Sequence, residues 1–171
     1  MRKIVVVLAG VALLVFVNST IVSRERLIED GRVVLLELAP VDPRSLLQGD
    51  YMALQFKAAR DGLPVGASRS TALDGHLVLA QDARGVAVFR RLDDGAPLGS
   101  GEVRMRYRVR HGIPRLATNA WFFEEGHAGD YAHARYGEFR VAPDGEAILT
   151  GLRDEGLDRL GESPAKARYE R

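Results

Sequence analysis

The chain has 171 residues, with 24 Lys and Arg against 23 Asp and Glu, for a formal net charge of +1. So even a balance gives no basic footprint for a nucleic-acid backbone, and nucleic-acid binding is not expected. The absence of cysteine excludes disulfides, thiolate catalysis and Cys-based zinc sites. Lys3, Lys57 and Lys166 are the only lysines, so the basic residues are almost all arginine.

The chain opens with Arg2 and Lys3, then runs from Ile4 to Val17 without a polar residue and without a charge until Arg24. As a helix, Ile4–Val22 would span roughly 28 Å, close to a hydrocarbon core of about 30 Å. The basic start favours the cytoplasmic side for the N-terminus and export of the chain beyond Val22. A cleaved signal peptide would begin the same way, but no Ala-x-Ala marks a cleavage point and Val17-Asn18-Ser19 serves poorly. A helix buried in a globular core would carry a polar stripe. The expectation is an uncleaved anchor over 1–23 in the inner (cytoplasmic) membrane. A short polar connector at 24–31 then ends at Gly31, an extracytoplasmic domain covers 32–160, and a flexible tail covers 161–171.

After Gly31 the periodicity becomes that of strands. Strands are expected at Arg32–Ala39, Tyr51–Ala58, His76–Gln81 and Gly85–Arg91, the last two joined across Asp82-Ala83-Arg84. The turn-rich segment Arg90–Gly101 reads as a loop. Residues 102–110 (EVRMRYRVR) alternate cleanly, with Val103, Met105, Tyr107 and Val109 on one face and Arg104, Arg106, Arg108 and Arg110 on the other. A turn at His111-Gly112 would return Pro114–Phe123 antiparallel, setting Tyr107 against Leu116 and Val103 against Ala120. Asp130 would cap a helical turn towards Tyr136, and 134–141 with 145–151 would form a hairpin around Pro143-Asp144-Gly145. The fold class expected is mainly β: a small barrel or sandwich of about seven or eight strands, with an N-terminal transmembrane helix and one or two short helical turns.

The segment Pro40–Tyr51 is the most patterned. Asp42 suits an N-cap, Pro43 the first helical position, and Gly49 the left-handed stop of a single turn flanked by Arg44 and Asp50. Here the chain resembles the bacterial GDYXXLXY family, whose motif appears as Gly49-Asp50-Tyr51-Met52-Ala53-Leu54-Gln55-Phe56, with Phe56 in place of the final tyrosine. Phe122-Phe123-Glu124-Glu125-Gly126 is similar to a second block of that family. The resemblance implies membrane-anchored extracytoplasmic proteins of unknown function, often encoded beside polytopic membrane proteins. It carries no catalytic residue.

Other constellations are weaker. His127 and His133 are six residues apart, and no HExxH occurs, so no metal site is expected. Ser45 with Lys57 is a poor substitute for a Ser–Lys pair, and no G-x-S-x-G elbow exists. No cofactor and no catalytic residue are assigned. The residues singled out are Asp42, Pro43, Arg44, Gly49, Asp50, Tyr51 and Leu54 of the motif, with Arg104, Arg106 and Arg108 of the arginine stripe. Those guanidinium groups repel one another unless acids, anionic headgroups or an acidic partner answer them. The functional expectation is a non-enzymatic module that contacts another envelope membrane protein, the alternative being an envelope domain for a small ligand or, behind it, a hydrolase.

Overall fold

A computed structural model describes residues 2–39, 51–63, 74–110 and 113–161, apart from the side chains of Arg2, Val5, Val6 and Leu8. The first element, α1 (Arg2–Asp30), is one uninterrupted helix. Its polar positions do not break it, because Ser19 and Thr20 hydroxyls donate back to the Phe16 carbonyl and Ser23 to that of Thr20. Ile4, Val7, Val11, Leu13, Leu14, Val15, Phe16 and Val17 are all exposed, whereas Leu27 is buried. Among the described residues, only the last turns of α1 therefore pack on the domain. There Gly31 N–H donates to the Leu27 carbonyl, and a Cβ on Gly31 would lie 2.3 Å from that oxygen, so only glycine ends the helix this tightly. Arg140 Nη1 donates to the Glu29 and Gly31 carbonyls, placing a cation at the negative helix end. Among the described residues no helix is long and apolar enough to cross a membrane. The side chains of Val5, Val6 and Leu8, within the apolar run, are outside that set.

Among the described residues, nine strands come after the helix. They are β1 (Arg32–Glu37), β2 (Tyr51–Ala53), β3 (Asp74–Gln81), β4 (Val86–Leu92), β5 (Glu102–Arg110), β6 (Ile113–Leu116), β7 (Ala120–Phe122), β8 (Tyr136–Val141) and β9 (Ala147–Arg153). Seven of them form one nearly closed, barrel-like sheet in the order β6-β5-β3-β4-β1-β8-β9. The fold is mainly β, and the barrel is favoured over the sandwich. All neighbours are antiparallel except β1 and β4, where Leu35 is set against Val86. Alternation explains the core: Val34, Leu36, Leu77, Leu79, Met105, Leu116, Phe139 and Leu152 are buried and form one cluster.

Several expected elements end differently. The strand that starts at Tyr51 stops at Ala53. After an isolated bridge between Leu38 and Phe56, the chain enters α2 (Lys57–Gly62), which buries Ala58 and Ala59. The β5–β6 register does set Tyr107 against Leu116, but Val103 does not meet Ala120. Ala117 adopts φ 55°, and the chain leaves the barrel there, so that Ala120–Phe122 pairs instead with Tyr51–Ala53 in a separate two-stranded ribbon. The turn expected from Asp130 is a 3-10 turn over Ala128–Tyr131, with His127 and not Asp130 at its cap. The expected turns at 42–49 and at His111-Gly112, and the tail beyond 161, lie outside the described residues.

Where β6 departs, β5 is left with an open edge. The β8–β9 turn fills it: Arg106 N–H donates to the Gly145 carbonyl at 2.8 Å. Gly145 has φ +89°, and a Cβ there would come within 2.8 Å of His76 Cδ2 and 3.3 Å of Arg106 N. The conformation and the close approach both require glycine.

Candidate functional site

The buried face of β5 fixes its other face. With Val103, Met105, Tyr107 and Val109 turned inward, Arg104, Arg106, Arg108 and Arg110 must point outward. Their neighbours then divide them into two groups. At one end Arg104 Nε lies 2.6 Å from Asp93 Oδ2. Arg91 joins the group, with Nη1 at 2.7 Å from Asp94 Oδ1 and Nη2 at 3.6 Å from Glu102 Oε2. Burial works to raise the Asp93 carboxyl. The Arg104 guanidinium and the Gly95 N–H outweigh it and hold that carboxyl below the usual carboxylate value.

The other end opens into a pocket of about 320 Å³ lined by Arg24, Arg106, Arg108, Arg110, Arg115 and Glu146. Glu146 follows directly on Gly145, so the turn that closes the β5 edge also delivers this carboxylate. Arg106 Nη1 pairs with Glu146 Oε1, and Arg108 Nη2 lies 3.6 Å from the same oxygen. Arg110 Nη1 lies 3.4 Å from Asp74 Oδ1. Among the described residues neither Arg24 nor Arg115 has a carboxylate within ion-pair reach. Arg115 also stands directly opposite Arg108 across the β5–β6 ladder. Like charges in that relation destabilise a sheet. Five guanidinium groups thus face two carboxylates. Guanidinium is a planar, permanently charged donor fork suited to the oxygens of carboxylate or phosphate.

Of the residues singled out in the sequence, the pocket gathers Arg106 and Arg108. Arg104 belongs to the other cluster. Tyr51 is half-buried on β2, its ring 5.8 Å from that of Phe122. Leu54 is a core residue whose N–H donates to the Asn119 carbonyl. Asp42, Pro43, Arg44, Gly49 and Asp50 lie outside the described residues. Arg24, Arg115 and Glu146 escaped the sequence reading, although a signal for Arg115 existed. The hairpin register that places Tyr107 against Leu116 also places Arg108 against Arg115.

Elsewhere, Lys57 pairs with Glu37 at 3.2 Å. His127 Nδ1 lies 2.8 Å from Asp130 Oδ2, and that hydrogen bond raises the imidazole above its ordinary pKa. Among the described residues, no three His, Asp or Glu side chains are grouped to hold a metal ion.

The family model for GDYXXLXY proteins matches residues 13–152. The chain belongs to the GDYXXLXY family. No curated protein and no solved structure matches it. The matched span runs from the middle of α1 through nearly all of β9, so it contains every arginine of the pocket and Glu146. Phe56, which replaces the last tyrosine of the motif that names the family, is buried and packs edge-on against Phe139 at 5.1 Å. An aromatic ring at this position fills the core, and the hydroxyl is dispensable to that role.

Proposed function

We propose that this GDYXXLXY protein is a membrane-anchored, extracytoplasmic binding module whose arginine-lined pocket receives a small anionic group. The observation that carries the reading is the surplus of guanidinium over carboxylate in the pocket, above all Arg115, unanswered among the described residues and opposite Arg108. A fold gains nothing from setting two cations face to face, and a bound anion would relieve the repulsion. The anchor rests on the uncharged run from Ile4 to Val22, on the exposure of its apolar side chains, and on Arg2 and Lys3 before it. On this reading the protein belongs to the inner (cytoplasmic) membrane, with the β-domain outside. Alkaline phosphatase fused after Arg171 should be active, and an inactive fusion refutes the orientation.

Binding is tested on the full-length protein in detergent at constant ionic strength. Citrate or pyrophosphate should raise Tm by about 3 °C or more where chloride does not. Arg108→Gln with Arg115→Gln should abolish the rise. Equal responses to all anions would refute a built site.

A second reading rests on the β2–β7 ribbon. Phe122 is 72% exposed beside Tyr51, an uncommon placement for a large aromatic side chain. It suits contact with another envelope membrane protein. Phe122→Ala should then release a protein that otherwise co-purifies in mild detergent, while leaving the anion response intact.

A further inference from the structure

The height of the pocket along α1 narrows its ligand further. Arg24 lines the pocket and stands two residues beyond Val22, the end of the Ile4–Val22 span, on the same unbroken helix. Two helical residues rise only about 3 Å. If the Ile4–Val22 span occupies the hydrocarbon layer, as the membrane-anchor reading holds, the pocket sits at the level of the lipid headgroups. We propose that it holds the phosphate of an anionic membrane lipid in the leaflet facing the domain, with the acyl chains remaining in the bilayer. This proposal rests on the anion-binding reading and specifies its ligand.

The charges favour a headgroup of two negative charges over one. Asp74 answers Arg110, and Glu146 is divided between Arg106 and Arg108. Arg24 and Arg115 stand unanswered among the described residues, so the pocket has the equivalent of about three positive charges to offer. A phosphomonoester near neutral pH carries about −1.5 to −2 and presents three acceptor oxygens, whereas a phosphodiester carries a single negative charge and presents two such oxygens. A pocket of about 320 Å³ is at the small end of ligand sites, which suits a headgroup rather than a whole lipid. Its arginines surround polar oxygens well and acyl chains badly.

The test places the full-length chain in nanodiscs. One set contains phosphatidylcholine alone, and the others replace a tenth of it with phosphatidic acid or with phosphatidylglycerol. A separate arm adds 10 mM inorganic phosphate to the phosphatidylcholine discs. Phosphatidic acid should raise Tm by about 3 °C or more, phosphatidylglycerol by less, and inorganic phosphate weakly. The Arg108→Gln, Arg115→Gln double variant should lose the lipid response. Arg90→Gln, at an exposed arginine of β4 outside the pocket, should keep it. A lipid response that survives in the double variant would reflect general attraction of the domain to a charged bilayer, and it overturns the proposal. A response to inorganic phosphate as large as that to lipid overturns the lipid assignment and leaves the anion pocket standing. No response to either, in protein that is folded and incorporated, overturns both, and failure to incorporate removes the membrane reading on which the lipid depends.

Discussion

The two ends of the outer face of β5 use the same residue for opposite purposes. Around Arg104, two arginines meet three carboxylates from Asp93, Asp94 and Glu102, and Asp93 Oδ2 lies 2.6 Å from its partner. Around Arg108, five arginines meet two carboxylates, and the structure opens into a pocket. At the first end the charges are matched, and removal of one member strands another. The second is under-satisfied, and removal of one member relieves its neighbours. An arginine stripe therefore has no single meaning, and the ratio of local acids to bases decides which part of it stabilises the fold and which is free for a ligand. A net charge of +1 over the whole chain conceals this segregation.

Substitutions at matched and unmatched arginines should separate sharply. The largest effect is expected at a third matched pair, where Arg153 Nε lies 2.6 Å from Glu138 Oε2 and that carboxylate is 5% exposed. Arg153→Ala leaves Glu138, among the described residues, with only the Thr150 hydroxyl as a side-chain donor, and should cost about 3 kcal/mol in urea unfolding. A loss below about 1 kcal/mol would mean that matched pairs do not stabilise this fold. Gly145→Val strikes the joint between barrel closure and pocket. The positive φ and the contact with His76 should make it cost about 2 kcal/mol, and displacing Glu146 should also strengthen the anion response by freeing Arg106 and Arg108. Stability loss with an unchanged anion response would separate closure from binding.

Asp93→Asn should cost about 1 kcal/mol at neutral pH. Its sign with pH follows from the depressed carboxyl. Ionised Asp93 contributes stability above about pH 4, the ordinary carboxylate value, and that contribution is lost as pH falls through the lower folded-state value. The gap in Tm between wild type and variant should therefore close on acidification, and a gap that stays constant to pH 2 would remove the charge argument. Least of all should Arg115→Gln alter folding: the change should stay within about 0.5 kcal/mol and lean towards stabilisation. A large loss there would move Arg115 to the matched class.

The sequence carried β5 in full because strict alternation leaves one register for a half-buried strand, and the same logic carried Tyr107 against Leu116. It failed ten residues later. Ala117 takes a positive φ although nothing in Ala or its neighbours announces one, and the chain that should have continued along β5 crosses to Tyr51–Ala53. The β8–β9 hairpin was legible from Pro143-Asp144-Gly145, but not its docking onto β5, a contact between residues 39 apart that depends on the gap left by β6. The pocket was half legible for the same reason. Arg106 and Arg108 follow from local periodicity, whereas Arg24 reaches them only because α1 is long enough and the barrel closes beside it.

That unbroken α1 has a mechanical consequence. With no hinge between Val22 and Asp30, and with Leu27 and Arg140 fixing its last turns to the barrel, the helix acts as a keyed shaft rather than a tether. The azimuth of the domain is set by a residue count. One alanine inserted after Val22 would turn the pocket by about 100° about the shaft, and seven would bring it back to nearly the same bearing about 10 Å higher.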